Sequence, residues 1–205
     1  PLINGDRAID TIRTLDQQGY LTEKLTDAAI RFIRRNSHRP FFAYIPYPMP
    51  HVPINASPAF KGKSKQGLYG DVIQEVDHHV GRILSTLEQL KLDNNTLVIF
   101  TSDNGPWFNF GNHAGSTGGL REGKGTSFEG GQRVPCIMRW KGMIPGGRVC
   151  NQLTSTIDLF PTIARLTGTR LPAAKIDGVD MTPLLKGDLS AEPRKTFYYY
   201  YRKNS

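Results

Sequence analysis

Thr96-Leu97-Val98-Ile99-Phe100-Thr101-Ser102-Asp103-Asn104-Gly105 decides the fold. Its first part is a continuous apolar run, which suits a strand buried on both faces, and the turn residues Asp93-Asn94-Asn95 set it off. Immediately upstream, Leu68, Val72, Val76, Val80, Ile83, Leu84 and Leu87 recur at three- and four-residue spacing, which predicts a helix over Leu68–Leu90 with one buried face. A helix leading into a fully apolar strand is the habit of a sheet covered by helices, an α/β arrangement. Working outward, a second helical stripe (Leu25, Ala29, Phe32, Ile33) starts near Tyr20, with Thr22 or Thr26 as its cap and Arg34-Arg35 in its last turn. Pro40 ends that segment, and Phe41-Phe42-Ala43-Tyr44-Ile45 reads as a short buried strand. Pro46, Pro48, Pro50, Pro53 and Pro58 make the next stretch a loop. A long glycine-rich loop from Ser102 to Gly131 follows the deciding strand; structureless stretches of that length are usually functional. Val134–Trp140 is expected to be a third strand, Ile157–Thr167 a short helix, and Phe197–Tyr201 an aromatic strand, whereas residues 1–19 read as irregular.

Composition narrows the class. The chain has 205 residues, 38% hydrophobic and 21% charged, which is globular rather than disordered and points to a single core. No apolar run approaches the roughly 20 residues of a membrane-spanning helix. The net charge of +8 favours anionic partners, but the basic residues are scattered apart from Arg34-Arg35, Lys61-Lys63-Lys65 and Arg202-Lys203. With no zinc-finger spacing or basic heptads, a nucleic-acid partner is not expected. Cys136 is expected to pack as a small hydrophobe within Val134–Met138, and Cys150 lies near a turn.

Three constellations could carry chemistry. Asp103 and Asn104, where the apolar strand runs out, offer adjacent hard oxygen donors of the kind calcium or magnesium prefers; Asp-Asn-Gly is equally ordinary turn chemistry. Lys124 stands between Gly123 and Gly125, so the backbone can approach closely while the ammonium reaches an oxyanion. A nucleotide-cradling loop is excluded, because Lys124 is followed by Gly125 rather than Ser or Thr. His51 is pinned between Pro50 and Pro53, which suits a positioned acid or base. His113, inside the glycine loop, could face a ligand; His38, His78 and His79 read as ordinary loop and helix residues.

Together, Met49-Pro50-His51-Val52-Pro53, Phe100-Thr101-Ser102-Asp103-Asn104-Gly105 and Gly123-Lys124-Gly125-Thr126-Ser127-Phe128-Glu129-Gly130-Gly131 resemble the type I sulfatases, or arylsulfatases, in order and separation. The resemblance continues through Val134-Pro135, Ser155–Ile163, Asp177-Gly178-Val179-Asp180 and Pro183-Leu184-Leu185. It implies an alkaline-phosphatase-like α/β sandwich with a mixed, mostly parallel sheet between helices. It also implies that Asp103 and Asn104 ligate calcium (magnesium being the alternative), that Lys124 holds the sulfate and its bridging oxygen, and that His51 contacts the leaving-group side. His113 would be a further substrate-binding residue. The family nucleophile is a hydrated formylglycine made from Cys or Ser in Cys/Ser-x-Pro-x-Arg.

That motif is not found here. Cys136 and Cys150 lack the required Pro and Arg, and Ser190-Ala191-Glu192-Pro193-Arg194 has its proline one position late. With Pro1 as its first residue, the chain is therefore expected to be a piece of such an enzyme, inactive by itself. Residues 1–170 would form the middle-to-late part of the catalytic domain, and 171–205 the connection and first strand toward a small C-terminal subdomain. The expected substrate is a sulfated small molecule or glycan. The alternatives are a phosphomonoester or phosphonate hydrolase of the same superfamily, and a non-catalytic homologue that binds sulfated glycans. Family resemblance alone implies an exported protein, in which Asn55-Ala56-Ser57 and Asn94-Asn95-Thr96 would be glycosylation sequons.

Overall fold

The computed structural model describes residues 1–199, which divide into two compact units. One comprises residues 1–93 with 102–134, the other residues 94–101 with those from 135 on.

The first unit opens with a hairpin where the sequence reads as irregular. Strands β1 (Leu2–Asn4) and β2 (Arg7–Asp10) pair antiparallel across Gly5-Asp6, and Lys24 closes on Asp10 with an ion pair. The turn signal is Gly5-Asp6, with Gly5 taking a positive φ of 60°. A short helix α1 (Leu15–Gln18), capped by Thr14, leads into α2 (Leu21–Arg35). Thr22 and Thr26 do not cap α2; they lie on its buried face, and the Thr26 hydroxyl bonds the Thr22 carbonyl and the Tyr47 hydroxyl at 2.7 and 2.6 Å. Helix α3 (Gly67–Gln89) packs against α2 and buries Val72, Val76, Ile83 and Leu87, the predicted stripe.

Three polar residues share that stripe. Asp71 accepts backbone N–H bonds from Gly62, Lys63 and Ser64 at 2.8, 3.0 and 2.7 Å, so it orders the loop ahead of its own helix. Burial pushes its carboxyl up, but the three donors together hold it below the ordinary value. Glu75 accepts from the Ser57 amide at 3.0 Å, and His79 accepts from Arg82, which in turn pairs with Asp27 of α2 at 2.6 Å. Burial chiefly, with help from the Arg82 and His78 charges, keeps His79 below its ordinary value and hence neutral.

Phe41–Ile45 is not a strand in the described structure. It is extended backbone without a ladder partner, and Phe42 and Tyr44 are 73% and 79% exposed. The core of this unit instead gathers Met49, Ile54 and Ala56 of the proline-rich loop onto Val72 and Val76 of α3. Asn55 is buried and spends its amide on the Leu15 carbonyl, which closes that sequon to modification in the folded chain; Asn94 is exposed.

In the second unit, β3 (Val98–Thr101) and β4 (Cys136–Arg139) pair antiparallel, Val98 opposite Arg139 and Thr101 opposite Cys136. Among the described residues both ladders are two-stranded and antiparallel, because these strands pair directly and not across a helical crossover. Cys136 is exposed on this two-stranded ladder rather than packed, and so is Ile137 beside it on the opposite face, because the described residues cover neither side at that end of the strand. A 3₁₀ turn at Thr156–Asp158 leads into α4 (Leu159–Thr167), which packs on α5 (Thr182–Leu185). The expected aromatic strand is not formed at Phe197–Tyr199, and Tyr200 and Tyr201 lie outside the described residues.

The centre of this unit is Asp158, fully buried. Its carboxylate accepts from Arg194 at 3.1 and 2.5 Å and from the Val179 and Ser155 amides at 2.8 Å each. Burial raises its carboxyl, but Arg194 and the amides outweigh that and hold it below the ordinary 3.8. Removing one member strands a buried charge. Arg194→Met is therefore expected to cost about 3 kcal/mol in denaturant unfolding. Because the folded carboxyl titrates below the unfolded one, its contribution is complete above pH 3.8 and fades as pH falls through the folded value. The variant should lose that acid-limb dependence.

Candidate active site

Residues 102–131 are less a free loop than two backbone segments laid against each other. The Gly105 amide donates to the Gly131 carbonyl at 3.0 Å, the Lys124 amide to the Pro106 carbonyl at 2.9 Å, and the Gly130 amide to the Arg121 carbonyl at 2.8 Å. A Cβ on Gly105 would stand 1.8 Å from the Gly130 oxygen, and one on Gly130 would stand 2.0 Å from the Glu122 oxygen. Real side-chain carbons do not fit at such distances, so the absence of Cβ at both positions is what permits the contact. The result fastens the segment that follows Asn104 to the segment that carries Lys124.

His51 arrives from the proline-rich loop. Buried Met49 and Ile54 bracket it and leave its ring exposed, while its own amide bonds the Pro48 carbonyl at 2.9 Å. The Gln18 amide holds the Pro53 carbonyl at 2.6 Å. Nδ1 of His51 lies 2.7 Å from the Val52 carbonyl, which can only accept, so Nδ1 carries the proton. Nε2 then presents a lone pair, and Nζ of Lys124 donates to it at 3.0 Å. The two residues are thus joined, 73 positions apart in sequence. The Trp107 ring lies beside both, its centroid 5.5 Å from Nζ of Lys124 and 6.3 Å from the His51 ring. No spacing rule pairs Trp107 with that site; its only signal is an aromatic residue directly after Asp-Asn-Gly-Pro.

Asp103 is exposed and makes no hydrogen bond or ion pair with a described residue. The Asn104 amide nitrogen donates to the Gly105 carbonyl at 3.1 Å, which leaves its oxygen as the acceptor, and the Ser102 hydroxyl donates to the Asn104 carbonyl at 3.0 Å. An unpaired carboxylate beside a free amide oxygen fits a hard divalent cation as part of its shell, since calcium takes about six to eight oxygens. Among the described residues no group of three or more His, Cys, Asp or Glu is placed to hold a metal. His113 ends a 3₁₀ stretch, Phe108–His113; it is exposed and is not joined to His51 or Lys124 by any ring contact or hydrogen bond. No helix of the described residues is long and apolar enough to cross a membrane.

The sulfatase family model matches residues 3–169. The chain is 44% identical over 188 residues to steryl-sulfatase of Mus musculus, an overlap covering 89% of this chain and 30% of that protein. It is 45% identical over 187 residues to N-acetylgalactosamine-6-sulfatase of Canis lupus familiaris, covering 89% of this chain and 35% of that protein. Among solved structures, a sulfatase from Pseudoalteromonas sp. superposes with a TM-score of 0.84 at 31% identity, over 96% of this chain and 40% of that one. The chain therefore spans about a third of the length of the relatives it matches. With a family-model match over most of its residues and these likenesses around it, the chain belongs to the sulfatase family.

Proposed function

We propose that this chain carries the oxyanion-binding part of an enzyme that hydrolyses sulfuric esters, of the arylsulfatase type. The single observation that carries this reading is the contact of Lys124 Nζ with His51 Nε2 at 3.0 Å, on the loop anchored beside Asp103 and Asn104. Once Nε2 has taken up a proton, it and the ammonium can both donate to one tetrahedral oxyanion. Lys124 would neutralise charge growing on the sulfuryl oxygens and the bridging oxygen. His51, its Nδ1–H pinned by Val52, would take a proton at Nε2 and give it to the departing alcohol oxygen. Asp103 and Asn104 would hold calcium, or magnesium in its place, which supplies further positive charge against the sulfuryl oxygens. His113 would meet substrate farther out, on the leaving-group side.

The nucleophile, a formylglycine by the family resemblance, would come from a part of the protein outside this chain. We assign residues 1–170 to the middle-to-late part of the catalytic domain, and 171–205 to the connection toward a small C-terminal subdomain. The extended Phe41–Ile45 segment, with Phe42 and Tyr44 outward, supports a larger alkaline-phosphatase-like sandwich with a mostly parallel sheet, in which further strands pair with it. The names of the relatives support a sulfated small molecule or glycan as substrate; export from the cytoplasm rests on the family resemblance alone.

Two measurements on the full-length protein test this. Lys124→Ala should lower kcat on an aryl sulfate about 100-fold or more, the usual cost of one preorganised electrostatic contact; near-normal kcat/KM would return Lys124 to an ordinary loop residue. Asp103→Ala should weaken calcium binding in calorimetry and lower activity in parallel, because the carboxylate both ligates and neutralises the ion. Unchanged calcium affinity would leave the Asp-Asn-Gly segment as a turn.

A further inference from the structure

Trp107 is a large aromatic side chain left 40% exposed beside the Lys124–His51 pair. Its ring is nonetheless held in place. Phe110 meets it edge-on, centroids 4.9 Å apart and planes at 69°, and Lys124 Nζ sits 5.5 Å from its centroid, within cation–π range. Phe108 is seated next to Gly123, where a Cβ would lie 3.1 Å from its ring. The backbone on either side of Trp107 is thus fixed by the same close packing that fixes Lys124.

An indole face is electron-rich and repels an oxyanion, while it attracts C–H edges and other rings. A sulfate ester seated on Lys124 and His51 would therefore turn its sulfuryl oxygens to those nitrogens and its carbon side to Trp107. We propose that Trp107 is a specificity residue that stacks on the leaving group, selecting sulfate esters whose alcohol is a ring with a flat C–H or π face. An aryl ring and the C–H face of a pyranose share that chemistry. The assignment rests on the oxyanion reading of Lys124 and His51, and extends it to the substrate's other half.

The test uses the full-length protein with three probes: inorganic sulfate, which has no leaving group; phenyl sulfate; and a hexosamine 6-sulfate. Trp107→Ala should raise Kd in calorimetry, and KM in kinetics, about tenfold for at least one ring ester, with kcat nearly held. Inorganic sulfate should bind within twofold of the unaltered protein, and Trp107→Phe should recover most of the loss. The ester that loses more identifies the source of the ring. Equal weakening of all three probes would mean that Trp107 merely supports the loop, and no weakening of either ring ester would mean that it does not touch substrate; either result overturns the proposal. Lys124→Ala, run alongside, should weaken inorganic sulfate itself. If it does not, the oxyanion reading fails by its own measurement.

Discussion

The site depends on one steric constraint: two backbone segments approach more closely than any side chain allows. Gly105 against Gly130, and Gly130 against Glu122, leave no room for a Cβ, and the amide-to-carbonyl bonds around them would be lost if the segments moved apart. That contact converts an otherwise loose glycine-rich stretch into a platform. It sets Lys124 near the Asp103–Asn104 turn and gives Trp107 and Phe110 a rigid base. An unpaired side-chain cation on a mobile loop would lose the entropy of ordering each time it bound an anion; a lysine whose backbone is already fixed loses less.

The electrostatics follow from that placement. Lys124 meets the lone pair of a histidine whose other nitrogen is committed to the Val52 carbonyl. His51 in turn owes its position to buried neighbours as well as to its own contacts, since Met49 and Ile54 are seated against Val72 and Val76 of α3 and the ring stays exposed. Glu75 and Gln18 fix the carbonyl and amide groups of the same loop. Glu75, buried in α3, therefore serves the site at one remove: it orders the chain that follows His51 rather than touching the chemistry.

The apolar face of α3 is legible in sequence because its spacing is regular and its helix is long. Asp71, Glu75 and His79 lie on that same face; the sequence reads His79 only as an ordinary helix residue and offers nothing for the other two, because helical spacing does not show which backbone amides and side chains a buried polar group will meet. Phe41–Ile45 reads as a buried strand from its composition, yet composition reports only a preference for pairing and burial, and the described residues supply no ladder partner. Cys136 is misread for a related reason, since an apolar run reports a preference for burial and the described residues cover neither Cys136 nor Ile137. The first hairpin has only the Gly5-Asp6 turn as its signal. At the site, His51, Lys124, Asp103 and Asn104 stand out by motif, whereas Trp107 does not, because its role comes from distances across a fold and not from spacing.

The measurement closest to the centre of this reading is a crystal structure of the full-length protein grown with sulfate. One sulfate ion within hydrogen-bond distance of both Lys124 Nζ and His51 Nε2, with Gly105 still bonded to Gly131, is the expected result. A sulfate bound elsewhere, or Lys124 and His51 separated and pointing to different ligands, would contradict it.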